Sequence, residues 1–433
     1  MDSTQKKDIY YVFKPLYYVS QVLGMVGFKI GNANKCVTTE RCFVPEYILP
    51  IFIIINLCVY LCCNVLYLIQ FTAFQMTVEI RVIWIFNKML TSLTSIVTLL
   101  LNITMDRHGV PRTLSYIHDA DLKLFKCGCR EKIFRQARSS LIVQLTVAII
   151  ITAFENILLN TFLPLNTPID FIHSISYTLC AGINRVMILQ YINIVLSLKQ
   201  RYKYINYLLS VPLIETEFMN AKHSNEKGSI CRRCKPILLH AAFKLNFNNS
   251  IYIINSIHDL RLIYSQLHDT LRHVHRRYGM PILLYTISTL TYCVPMFYLE
   301  IVQLQNIFYN YGDSKSYLDG ALVLGLYTAH LVFFLWLITC CHITSKEANE
   351  ILIDIHKLLV YPHTGHRVCS ELHSFCSLLR DVRVTFNICG FFTFNLQFLC
   401  WSLSIVFTYV LVLVQLNWKK WRIWKLTKTS VSC

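Results

Sequence analysis

The sequence predicts an all-α polytopic membrane protein with seven transmembrane helices and long helical extensions on the cytoplasmic side. Three observations lead there. Of 433 residues, 55% are hydrophobic and only 15% are charged, with a mean hydropathy of +0.46; a soluble domain averages roughly a quarter charged. The net charge of +17 is confined to segments between apolar runs, so it reads as a topology signal rather than a nucleic-acid surface. Seven stretches are each long enough for the about 20 apolar residues that a bilayer core requires.

Residues 9–30 contain Lys14, Pro15 and Gln21 and are predicted as an amphipathic helix lying against the membrane or the bundle, within a cytoplasmic segment 1–46. The spans follow at 47–71, 82–104, 141–163, 171–198, 281–308, 321–343 and 391–417. Residues before the first span carry six Lys/Arg against four Asp/Glu. The connections 105–140 and 199–280 carry eight against four and thirteen against five, whereas 72–81, 164–170 and 309–320 are neutral or net negative. The excess of Lys/Arg places the N-terminus in the cytoplasm and the C-terminus outside. The basic tail 418–433 then lies outside, against the rule, with Trp418, Trp421 and Trp424 among its lysines as an interfacial anchor. The sequons at Asn102 and Asn248 fall on the cytoplasmic side and are expected to be unused.

Helical order is expected to continue into the cytoplasm. Ile257, Leu260, Tyr264, Leu267, Leu271 and Val274 recur every three or four residues, a seam that runs into span five through Gly279 and Pro281. KEANEILIDIHKLL (346–359) extends span six, and 370–386 forms a further anchor helix on Leu372, Phe375, Leu379, Val382 and Phe386. Residues 215–235 lack periodicity. Most of the 18 cysteines sit in apolar runs and read as small hydrophobes. The pairs Cys127/Cys129 and Cys231/Cys234 lack the histidines of a zinc site, so neither metal nor cofactor is expected.

Within span seven, Thr393, Gln397, Ser404, Thr408 and Gln415 are separated by 4, 7, 4 and 7 residues. At about 100° per residue they share one stripe, and Cys400 and Leu411 lie beside it. Such a stripe in lipid faces protein or water. It is either a helix–helix contact or a pore wall with Leu411 as an apolar constriction.

The same segment carries a resemblance. TYVLVLVQLN (408–417), after CGFFTFNLQFLCWSLSIVF, resembles the signature of insect gustatory receptors, relatives of the odorant co-receptor. Thr408, Tyr409 and Gln415 match it, and Leu416 stands where the family usually has Phe. FKPLYYVSQVLGMVGF (13–28) is similar to the family's first amphipathic helix, and LHDTLRHVHRRYGMPILL (267–284) to its entry into span five. The resemblance implies a tastant-gated, non-selective cation channel, a homotetramer or heteromer of related receptors in the plasma membrane of a sensory neuron. The last span would line its pore and the cytoplasmic helices would form a shared anchor. It further implies Gln415 at the outer gate, with Thr408 and Tyr409 packing the pore helix.

Ligand-binding candidates are the polar and aromatic residues in the outer halves of the spans. They are Trp84 and Lys88 in span two, Glu155 and Asn156 in three, and His173 and Tyr177 in four. Tyr298, Glu300 and Gln303 follow in five, and Tyr327 and His330 in six. Lys88 is expected to pair with Glu155 or Glu300, and Arg185 to hold the bundle together. A bitter plant compound is weakly preferred over a sugar. The competing class is a G-protein-coupled receptor, for which Asp106-Arg107-His108 mimics one motif but no Asn-Pro occurs. Transporter repeats and enzyme constellations are absent from the sequence.

Overall fold

The computed structural model describes residues 8–25, 45–70, 78–104, 109–124, 130–162, 168–223, 250–309, 314–360 and 366–431. Nearly all are helical: α1 (Ile9–Val22), α2 (Pro45–Gln70), α3 (Val78–Thr104), α4 (Gly109–Leu124), α5 (Arg130–Phe162), α6 (Pro168–His223), α7 (Ser250–Tyr309), α8 (Ser314–Val360), α9 (His366–Asp381) and α10 (Leu396–Val431). A two-stranded hairpin, β1 (Asn387–Ile388) and β2 (Phe392–Thr393), precedes α10. By length and composition, six of the described helices contain a stretch able to cross a membrane, and α2 adds a shorter one, Ile48–Cys62.

At 1.5 Å per residue, the 60 residues of α7 span about 90 Å, three times the about 30 Å hydrocarbon core. The helices α6, α7 and α8 therefore run from the bundle into an anchor at one end without a break, and Pro281 and Pro295 are carried inside α7. In the anchor, Ile257, Leu260, Tyr264, Leu267, Leu271 and Val274 are all buried, as the periodicity predicts. They pack with Ala348, Ile351 and Ile355 of α8 and Leu372, Phe375 and Leu379 of α9 in one continuous core.

The amphipathic helix α1 is present but stops at Val22 rather than at 30. Asp8 caps it by accepting a bond from the Tyr11 N–H (3.0 Å). At the other end Met25 N bonds Ser20 O (2.8 Å) and Gly24 N bonds Gln21 O (3.1 Å), a Schellman closure. That closure requires the left-handed φ of +68° at Gly24, where a Cβ would also approach Pro50 Cα to 3.2 Å.

Two elements differ from the sequence expectation. Residues 105–140 hold a helix, α4, whose Leu114, Ile117, Ala120 and Leu124 are buried. The anchor helix expected over 370–386 is instead α9, ending at Asp381, and Val384, Phe386 and Ile388 continue as an extended segment. There the buried residues alternate with exposed Arg383, Thr385 and Asn387. The β-branched Val382, Val384 and Thr385 favour that period of two over 3.6. Cys127, Cys129, Cys231, Cys234, Asp106 and Asn248, and most of 215–235, lie outside the described residues.

Candidate functional site

Two arrangements carry the chemistry: the free face of α10 and a buried polar cluster in the bundle. The entry to α10 is the hairpin. Cys389 (φ 49°) and Gly390 (φ 79°) occupy its turn, and Phe391 N bonds Ile388 O at 3.0 Å. Asn395 Oδ1 then accepts from Phe398 N at 2.7 Å and caps the helix. The hairpin sits on α7 at Gly279, where an added Cβ would lie 3.2 Å from Cys389 Sγ. The last span thus begins at Leu396 rather than 391, and Thr393 belongs to β2 instead of the helical stripe.

The remaining stripe keeps its phase. Gln397, Ser404, Thr408 and Gln415 are all exposed in the subunit. The residues that α10 buries, Ser402, Val406 and Val410, lie about 180° around the helix from them. Val406 and Val410 pack with Cys293 of α7, and Leu331 of α8 lies against this cluster. Only 17% of the apolar window of α10 is buried, against 83% of that of α6. The Ser404 and Thr408 hydroxyls donate to the carbonyls of Cys400 (3.0 Å) and Ser404 (2.8 Å), so neither hydroxyl is a stranded donor. Leu411 (44%) and Tyr409 (59%) are also exposed in the subunit. The side chain of Leu416 lies outside the described ones.

The buried cluster joins five helices. Glu155 of α5 forms an ion pair with Arg185 of α6 and lies 2.9 Å from His330 Nε2 of α8. Arg185 also donates to Thr152 Oγ1, and the His330 ring lies 5.1 Å from that of Tyr292 on α7. Lys88 Nζ of α3 sits 5.6 Å from the centre of the Tyr177 ring. The expectation that Arg185 holds the bundle is met by these contacts, and Arg185 and His330 are partners of Glu155 that the sequence does not predict. A carboxylate shared by a guanidinium and an imidazole on different helices ties α5 to both α6 and α8.

A hydrogen-bonded seam continues from this cluster. Thr91 and Ser288 hydroxyls are 2.9 Å apart, Ser288 donates to Asn87 (2.8 Å), and Ser95 donates to Asn184 (3.1 Å). Small hydroxyls in hydrocarbon join helices this way. Asn156 is used similarly, accepting from Ser174 at 2.9 Å. Tyr298 is buried and Glu300 half-buried. The side chains of Trp84, His173, Gln303 and Tyr327 lie outside the described ones. The sequence does not single out Tyr292 and Thr152, because one aromatic or hydroxyl in an apolar run carries no signal of its own.

Comparison with known proteins agrees with this architecture. The family model described as "7tm Chemosensory receptor" matches residues 13–417. The fold is similar to that of the insect olfactory receptor OR5 from Machilis hrabei, at 11% identity and a TM-score of 0.65, covering 94% of this chain and 99% of that one. The structure of that receptor in complex with eugenol matches equally. No curated protein sequence matches the chain. A membrane bundle of this fold, matched by the family model over nearly its whole length, is a receptor rather than an enzyme: the chain belongs to the 7tm chemosensory receptor family of insects.

Proposed function

We propose that the protein is a gustatory receptor that works as a tastant-gated, non-selective cation channel in the plasma membrane of a sensory neuron. Four subunits, identical or from related receptors, surround a pore lined by α10. The N-terminus and the anchor lie in the cytoplasm, following the Lys/Arg asymmetry. One observation carries the reading: the polar stripe of α10 points directly away from the face that packs on its own subunit. In hydrocarbon such a stripe needs water or partner subunits, and a central pore supplies both.

In this reading Gln415 stands at the outer gate, Leu411 is the apolar constriction, and Ser404, Thr408 and Gln397 line the path inward. Tyr409 and Leu416 meet neighbouring subunits. The tastant, a small plant compound of the bitter class rather than a sugar, enters between the outer halves of α3, α5, α6, α7 and α8. Lys88, Glu155, Tyr177, Tyr298, Glu300 and His330 are the nearest described side chains, and Trp84, Asn156, His173, Gln303 and Tyr327 share those helix halves. The complex of the similar olfactory receptor with eugenol supports a small-molecule site in this fold.

The test is whole-cell recording from cells expressing the chain. Gln415→Ala should alter basal leak or gating, whereas Val410→Ala, on the packed face, should act on expression level first. Wild-type currents from the Gln415 variant would overturn the gate assignment.

A further inference from the structure

The geometry points to a specific seat for an anionic phospholipid between α1 and α5, with its headgroup on Lys14, Arg135 and Arg138. The inference rests on the membrane reading of the bundle and is independent of the ligand and of the pore.

The direction of α1 comes first. Arg138 of α5 lies 3.8 Å from the centre of the Tyr11 ring, so the start of α1 meets α5 at residue 138. Near its other end, Ser20 accepts a bond from Gln190 of α6 at 2.7 Å. Gln190 is about one turn from Asn193, which donates to Gln144 of α5 at 2.8 Å. The helix α1 therefore climbs beside α5 in the same direction.

The surfaces of both helices change character along that climb. On α5 the exposed residues are Arg135, Gln136, Ser139 and Ser140, and then Ile142, Val143 (60%), Val147 (44%), Ile149 and Ile150 (61%), with Thr146 donating to the Ile142 carbonyl of its own helix. The change from polar to apolar marks the membrane interface near residue 141. On α1 the buried face is Ile9, Val12, Phe13, Leu16, Tyr17 and Ser20. The opposite face repeats every four residues as Lys14, Tyr18 and Val22, all exposed. It runs cation, aromatic, aliphatic in the direction that α5 runs polar to apolar. That order matches a phospholipid from headgroup through glycerol to acyl chain.

Three cations lie along the headgroup stretch, spread over about two helical turns. Lys14 is one turn from Tyr11, and Arg135 is one turn from Arg138, so both flank the stacked Tyr11–Arg138 pair. The acid on this part of α1, Asp8, is 7% exposed and turned onto the Tyr11 N–H. Guanidinium forks and an ammonium in a row suit the phosphate and the further acidic group of an anionic headgroup. The partner is thus a phospholipid of net negative charge in the leaflet on the anchor side.

The full-length protein is reconstituted in nanodiscs of phosphatidylcholine with phosphatidylserine, and the bound lipid is read by native mass spectrometry. Wild type should retain phosphatidylserine over phosphatidylcholine. Each cation removed should weaken retention about five-fold, since a basic residue at an anionic surface contributes on the order of a five-fold change in affinity. Lys14→Gln with Arg135→Gln leaves the Arg138 stack in place and should therefore fold. Removing three exposed cations elsewhere, Lys203, Arg276 and Lys346, should leave retention unchanged. Equal retention of the two lipids by wild type would overturn the seat. An equal loss in the control variant would also overturn it, by showing diffuse attraction.

Discussion

Asp121 and Arg201 offer the sharpest test of how the anchor is built. Arg201 Nε donates to Asp121 Oδ1 at 2.9 Å and Nη2 to Oδ2 at 2.7 Å, while Nη1 reaches Ser197 O. The two side chains are 1% and 0% exposed, and they join α4 to α6 across 80 residues of chain. Asp121→Ala removes one half of a two-pronged pair and strands a guanidinium in an apolar core. Breaking a buried pair from one side costs about 3–5 kcal/mol, a large share of the about 5–15 kcal/mol of a typical fold. Replacing both partners with apolar groups of similar size is often close to neutral. The single variants Asp121→Ala and Arg201→Met should therefore each lower the apparent melting temperature in detergent by several degrees. Asp121→Leu with Arg201→Met should recover most of the loss. Melting is followed by fluorescence-detected size exclusion at one heating protocol, since unfolding of such proteins is commonly irreversible. Additive losses in the double variant, or an unchanged Asp121→Ala protein, would refute the pair as the tie between α4 and α6.

Two further outcomes follow from the anchor and the hairpin. Gly279→Val should displace the hairpin from α7, because even a Cβ meets Cys389 Sγ at 3.2 Å, and overpacking of this kind costs about 1–3 kcal/mol. Cys389→Gly should relieve it, removing the sulfur and a side chain from a left-handed position, and melting of the double variant against Gly279→Val checks this. Burial, and then the neighbouring His268, lowers the pKa of His275 from 6.5 to about 4. The unfolded chain then binds the extra proton first, so the stability that neutral His275 contributes is present above about 6.5 and lost as pH falls towards 4. His275→Phe should flatten the dependence of melting on pH across that window. An unchanged slope would show that His275, which packs edge-on against Phe386, does not set it.

The membrane class and the amphipathic face of α1 follow from hydropathy and period, which each residue reports through its own transfer to lipid or water. For the same reason the seam Ile257 to Val274 and the phase of Gln397, Ser404, Thr408 and Gln415 are legible in the chain alone. Their pattern repeats over enough turns to exceed chance. The end of α1 is legible only at Gly24, where closure needs a backbone that other residues rarely adopt.

Tertiary structure decided what depends on pairs of distant residues. The buried seam of α4 spans about three turns between charged neighbours, and it becomes a core element by packing on α7, with Asp121 meeting Arg201 of α6 beside it. The hairpin is two residues per strand inside an aromatic run, too short for a period to show, and it is held by contact with α7 at Gly279. Glu155 takes Arg185 and His330 as partners because α5 packs beside α6 and α8, which composition along one helix does not encode. Local chemistry determines which surface a residue seeks. Which other residue meets it there is settled by packing across the chain, where distance in sequence carries no information about distance in space.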